Sequence, residues 1–144
     1  MSRHELFNPA ELAPPSGFSY AAVASPGRTV HLAGITGHEP DGSIAVGLVA
    51  QFARACRTVE EIIAGSGGTP TDLVSMTIFT TEIATYRASR SEVGAEYRAV
   101  FGKHYPPMAL VGIAELYDPR AVVELVCVAV VPDAQSSRMN TGSS

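Results

Sequence analysis

Glu124 is the residue whose type and setting most invite chemistry, because it interrupts the most apolar run of the chain, Val122-Val123-Glu124-Leu125-Val126-Cys127-Val128-Ala129-Val130-Val131. Read as a strand, the run alternates faces: Glu124 shares one with Val126, Val128 and Val130, while Val123, Leu125, Cys127 and Ala129 take the other. A carboxylate among such neighbours is costly to desolvate unless a partner or a wet pocket receives it. In a pocket it works as a general acid or base. Bonded instead to backbone amides, or to an arginine of a neighbouring copy, it only fixes an interface, and both readings stay open. The second stretch is Tyr105-Pro106-Pro107-Met108-Ala109-Leu110-Val111-Gly112. Its two prolines stop the preceding helix and hold the chain extended, which puts Met108 at the mouth of a strand. If the last two strands form a hairpin around Glu115-Leu116-Tyr117-Asp118-Pro119, the Met108 and Glu124 regions come close. The pocket expected there is small and mostly apolar, with one carboxylate and a tyrosine hydroxyl.

Other chemistries find little support. His4, His31, His38 and His104 are scattered, without the spacing that sets two imidazoles on one metal, so no metal site is expected. Cys56 and Cys127 fall on a helix face and a core strand and read as buried thiols. Neither Ser19 nor Ser75 sits in a nucleophile elbow. The Gly65-Ser66-Gly67-Gly68 loop follows a helix rather than opening one, so its amides do not form a phosphate cradle.

The elements that must position these residues fit one domain, 1–132, within 144 residues. With 46% hydrophobic and 17% charged residues the composition is globular, and 10 basic against 14 acidic residues give a net charge of −4. No Lys/Arg run is present to neutralise a phosphate backbone, so no nucleic-acid partner is expected. No signal-like h-region and no membrane-length apolar stretch is present, so the expectation is a cytoplasmic protein without a membrane contact.

Residues 1–16 carry three prolines and little periodicity, and are expected to wrap the surface without forming an element. Phe18–Ala24 and Thr29–Gly34 read as a hairpin about Ser25-Pro26-Gly27-Arg28, and Asp41-Gly42 as a tight turn. Leu48, Phe52, Ala55, Cys56, Val59, Ile62 and Ile63 predict an amphipathic helix with Gln51, Arg54, Arg57, Glu60 and Glu61 outward. Leu73–Thr80 is a strand. Tyr86, Val93, Tyr97, Val100 and Phe101 mark a second helix with Arg87, Arg90, Glu92, Glu96 and Arg98 outward. The order β-β-α-β-α-β-β, with right-handed crossovers, is an α+β fold with both helices on one face of a mixed sheet. The bare apolar face then needs a second copy of the chain to cover it. Residues 133–144 are small and polar and read as a disordered tail.

Over nearly the whole chain the residues resemble the Rid (reactive intermediate deaminase, YjgF-like) family. The likeness rests on the order of elements, Ala33-Gly34, Tyr105-Pro106-Pro107-Met108-Ala109-Leu110-Val111 and Val123-Glu124-Leu125-Val126-Cys127-Val128-Ala129-Val130. It implies a chorismate-mutase-like fold and a homotrimer with ligand clefts between subunits. It also implies cofactor-free hydrolysis of 2-imino and 2-enamino acids to 2-keto acids and ammonia. The family arginine that grips the substrate carboxylate falls on Met108, a departure that removes a charged bidentate fork. The family glutamate falls on Glu124, given one extra residue near Tyr117-Asp118, and is implied to be catalytic. The implied binding residues are Tyr20 (or Phe18 with the gap set differently), Ala33 and Gly34 in place of Ser-Gly, Tyr105, Met108 and Ala109. Two readings compete: an imine or enamine hydrolase with altered specificity, or a non-catalytic metabolite-binding trimer. In the first, the substrate lacks a carboxylate or meets it through Arg28, Lys103 or Arg120.

Overall fold

Leu48, Phe52, Ala55, Cys56, Val59 and Ile63 fall on one side of an 18-residue helix, α1 (Leu48–Gly65), and all six are buried. The helix stops where expected. Gly67, at φ 92°, lets its own amide and that of Gly68 reach the carbonyls of Ala64 and Ile63, at 3.1 and 3.0 Å. The second helical passage breaks at Ser89 into α2 (Ile83–Ala88) and α3 (Arg90–Phe101). Val93, Tyr97 and Phe101, four residues apart, bury one stripe of α3 against α1 and the sheet. This is the computed structural model of residues 2–133, and the tail expected at 133–144 lies, beyond Asp133, outside the described residues.

The main sheet has five strands: β3 (Arg28–His31), β4 (Ile35–Thr36), β5 (Leu73–Thr80), β6 (Met108–Gly112) and β7 (Val123–Val131). Its order is β3-β7-β5-β6, with β4 also on β7 beyond the end of β3. β5 and β6 are parallel and the other pairs antiparallel, so the sheet is mixed. The alternation predicted for β7 is present: Val123, Leu125, Cys127 and Ala129 are sealed under the helices, while Val126 on the other face is 36% exposed. Both long helices lie on one face and the opposite face is bare, as the crossover argument requires. The buried thiols are as expected; burial pushes Cys127 up to about 12 and Cys56 higher, leaving no thiolate at neutral pH. Among the described residues no helix is long and apolar enough to cross a membrane.

Three expectations about pairing are overturned. Phe18–Ala24 and Thr29–Gly34 do not form a hairpin: β2 (Ala21–Val23) pairs with β1 (Glu5–Phe7), and β3 pairs with β7. The N-terminal segment therefore does form an element. Arg3 is the physical reason, because its guanidinium lies between the two segments, donating to the carbonyls of Pro26 and Val130 and to the Asp72 carboxylate. The last two strands are not neighbours either. The β5-helix-β6 crossover lays β6 on one edge of β5, and β7 takes the other edge. Gln51, expected outward, is 1% exposed; its amide donates to Ala45 and Arg120 carbonyls and accepts from the Val122 amide, so the buried polar group is satisfied.

The turn between α3 and β6 holds a buried His104 whose Nε2 contacts the Leu73 carbonyl at 2.7 Å, while its own carbonyl accepts from Tyr97. Burial lowers its pKa below 6.5, outweighing the Leu73 bond. The unfolded ring therefore takes up a proton that the folded ring refuses, and stability is lost as pH falls through about 6.5. Urea midpoints at pH 7.5 and pH 5 are expected to differ more in the wild type than in His104→Gln; equal differences would remove His104 from the acid response.

Candidate active site

The Glu124 side of the site is built by an irregularity in strand pairing. From His31 to Ile35 the chain advances four residues while β7 advances three, from Val128 to Leu125. Leu32 still donates to the Cys127 carbonyl at 3.2 Å, so the extra residue falls after it, at Ala33-Gly34. Gly34 is needed there: a Cβ at this position would lie 2.8 Å from the Glu124 carboxyl carbon and 2.9 and 3.0 Å from its oxygens. Thr36 is the register partner of Glu124 on β4 and Phe79 its partner on β5. Glu124 is half-buried, and among the described residues its carboxylate makes no hydrogen bond and no ion pair. A carboxylate already desolvated in part, with its lone pairs uncommitted, is free to take a proton from a bound molecule.

Met108 opens a different space. A cavity of about 570 Å³ lies between α3 and the edge strand β6, lined by Phe18, Tyr86, Tyr97, Tyr105 and Met108 among others. Such a volume suits a small organic ligand. Tyr97 stacks on Tyr105 with ring centroids 5.6 Å apart, and Tyr86 meets Phe52 edge-on. Burial pushes the Tyr86 hydroxyl up to about 12 and that of Tyr97 further, so both stay protonated. The Ser16-Gly17-Phe18 wall is fixed by Ser19, whose hydroxyl donates to the Tyr105 carbonyl at 2.6 Å. Arg90 and Arg98 complete the lining. Arg98 folds back over Gly94, its Nη1 3.1 Å from where a Cβ would stand.

The expected site residues thus fall into two groups. Gly34 and Glu124 meet on the bare face, with Ala33 exposed one residue before Gly34; Tyr105, Met108 and Ala109 meet at the cavity. The sequence reading that brings Met108 beside Glu124 is corrected for the single chain. Met108 aligns with Met76, which pairs with Cys127, three residues beyond Glu124, and β5 intervenes. The two are about 10 Å apart across the strands and about 10 Å along them. They also face opposite sides, since Met108 packs on the core. Tyr20 joins neither group: its hydroxyl donates to the Ala13 carbonyl at 2.8 Å, and Phe18, edge-on to it, lines the cavity instead.

Of the three cations considered for an anion, Arg28 donates to the carbonyls of Ser66 and Pro132, and Arg120 is held by Asp118 at 2.8 Å. The hydrogen bonds from Arg120, and then that from His38, hold the Asp118 carboxyl well below the usual carboxylate range. Lys103 is exposed in the turn after α3. Arg90 and Arg98, placed outward by periodicity, are the cations at the cavity. A signal for them existed: Arg90, Gly94 and Arg98 recur every four residues, which sets them on one stripe beside Val93 and Tyr97.

Residues 10–131 match the family model described as Endoribonuclease L-PSP. The fold is similar to the crystal structure of the Rid family protein YyfB from Yersinia pestis, at 26% identity and a TM-score of 0.79, covering 89% of this chain and 98% of that one. It is similar to Rv2704 of Mycobacterium tuberculosis, a member of the YjgF/YER057c/UK114 family, at 31% identity and TM-score 0.61, over 80% of this chain and 87% of that one. RidA from an Antarctic Psychrobacter shares the fold at 23% identity and TM-score 0.64, over 83% and 92% of the two chains. No curated protein matches the chain.

Proposed function

The chain belongs to the L-PSP endoribonuclease family, that of the Rid and YjgF proteins, whose members are typically enamine and imine deaminases, and from that membership we propose that it is a cytoplasmic imine or enamine hydrolase with altered specificity. Glu124 takes a proton from water as the oxygen adds to the C=N carbon; the carbinolamine then collapses to a carbonyl compound and ammonia. The observation that carries this reading is the half-buried Glu124 carboxylate, which bonds no described residue and stands over Gly34, where a side chain would displace it. The apolar bare face supports a closed homotrimer in which a neighbouring copy brings its Met108 edge to the Glu124 face and closes a ligand cleft.

Specificity follows from Met108. A thioether carries no charge and offers no donor, and it adapts to apolar shapes. The cavity beside it is walled mainly by aromatic and aliphatic groups, which supports an imine without a 2-carboxylate as substrate. A nuclease role suits the chain poorly, because a net charge of −4 attracts no phosphate backbone.

The test is ammonia release from freshly generated imines with and without a 2-carboxylate. The wild type is expected to prefer the carboxylate-free imines by about tenfold or more, and Met108→Arg to reverse that preference. A wild type that prefers the imino acids, and loses that preference in Arg98→Ala, would move the anion anchor to α3 and refute the apolar-substrate reading. Silence of the wild type on both sets, with Met108→Arg gaining imino-acid hydrolysis, would replace the enzyme with a metabolite-binding trimer.

A further inference from the structure

Beside Glu124 lies a hydrogen-bonded chain of side chains that the hydrolase reading does not use. Thr36 is the register partner of Glu124, and because Ile35 packs on the core, Thr36 faces the bare side with that carboxylate. Its Oγ1 is 2.5 Å from His38 Nδ1. On the far side of the ring, His38 Nε2 is 2.9 Å from Asp118 Oδ2. Asp118 is gripped by Arg120, through Nη2 at 2.8 Å, Nε at 3.2 Å and the backbone amide at 2.9 Å. Around the ring the other charged groups are Glu124 across from Thr36 and the Glu39–Arg54 ion pair one residue along, at 3.5 Å.

The donor inventory fixes how this chain behaves. An ionised carboxylate only accepts, and Arg120 keeps Asp118 ionised, so Nε2 of His38 carries a hydrogen in either charge state. Only Nδ1 changes. When the ring is neutral, Nδ1 accepts from the Thr36 hydroxyl, whose oxygen then presents lone pairs to the bare face. When the ring is protonated, Nδ1 donates to Thr36 Oγ1, and the hydroxyl hydrogen turns outward as a donor. One proton on His38 thus inverts the polarity of the Thr36 hydroxyl beside Glu124.

We propose that Thr36, backed by His38 and Asp118, is the second proton-transfer group of the site, delivering to the substrate nitrogen the proton needed for ammonia to leave. The proposal rests on the hydrolase reading for the identity of the proton acceptor. Protons balance. For a protonated imine, Glu124 takes one proton from water as the carbinolamine forms and passes it to solvent. As the C–N bond breaks, Thr36 gives its hydroxyl hydrogen to nitrogen and recovers one from His38 Nδ1, the carbinolamine hydroxyl gives its proton to Glu124 as the C=O forms, and that proton returns through solvent to the neutral ring. Thr36 is the catalytic residue here; His38 and Asp118 act through it.

Two measurements test this. In ammonia release, the wild type is expected to give a bell-shaped pH profile, as a site with one group acting as base and another as acid does. Thr36→Val is expected to lower kcat about a hundredfold, keep KM within about twofold and lose the alkaline limb although His38 is intact; Thr36→Ser is expected to restore both rate and limb. A Thr36→Val enzyme with full rate and an unchanged profile overturns the proposal. The second readout needs no activity: nitrogen NMR of the histidine rings. The neutral His38 ring is expected to carry its hydrogen on Nε2, with ring nitrogen shifts that move in Asp118→Asn and measurably in Glu124→Gln. A ring in the other tautomer, or one indifferent to both substitutions, overturns the chain whatever the activity. A wild type silent on every imine whose ring nevertheless couples to both carboxylates removes the hydrolase reading and leaves the chain standing.

Discussion

Replacing Glu124 by Gln is expected to lower ammonia release about a thousandfold while leaving the fold and the proposed trimer intact, in the range observed for loss of a general acid or base. The amide keeps the size of the side chain, so packing against Gly34 and between Thr36 and Phe79 is preserved. What is lost is the charged, basic oxygen that accepts a proton from water. Because the interaction gained on proton transfer belongs to the transition state, the loss is expected in kcat rather than KM. Gly34→Ala is a second probe of the same group. Its Cβ would press on the flexible end of Glu124, at 2.8 Å from the carboxyl carbon, so the carboxylate must swing aside while the strands hold. Its rate is expected to fall with its melting temperature nearly unchanged. The competing reading makes Glu124 an interface residue. In that case Glu124→Gln keeps the rate within about tenfold and instead splits the assembly in size-exclusion chromatography.

Gly37→Ala is expected to cost about 3 kcal/mol, lowering the melting temperature by roughly 10 °C. Gly37 is buried where α1 crosses the end of β4, and a Cβ would meet the Gln51 Cα at 2.6 Å, its carbonyl oxygen at 2.7 Å and its Cβ at 2.8 Å. Two of these are main-chain atoms of a helix, which cannot rotate away as a side chain does. The helix must shift as a body, and the Gln51 amide then loses its reach to the Val122 amide and to the Ala45 and Arg120 carbonyls. Leaving such buried groups unpaired adds to the steric cost. Thermal unfolding of Gly37→Ala beside Gly65→Ala, whose Cβ would enter open space on helical backbone, separates this close approach from glycine loss in general. A Gly37→Ala protein no less stable than Gly65→Ala would show that α1 yields without loss.

The helices and core strands were legible because burial imposes a period. Leu48 to Ile63 and Val93 to Phe101 repeat at the helical spacing, and β7 alternates around Glu124, so the packed faces could be named from residue types alone. The stop at Gly65 to Gly68, the start of β6 after Pro106-Pro107 and the turn at Asp41-Gly42 were likewise legible, because they depend on local backbone freedom. So was Glu124, since a charge in an apolar run stands out without any neighbour. Pairing partners were not. Which strand lies beside β2 or β7 depends on contacts far apart in sequence, such as Arg3 reaching Pro26 and Val130, and no local period encodes them. For the same reason only the tertiary structure separates Met108 from Glu124 by β5, turns Arg90 and Arg98 toward the cavity and brings Thr36, His38 and Asp118 into one line. Periodicity says which face of an element is buried. What stands opposite that face is decided by how the elements pack in three dimensions.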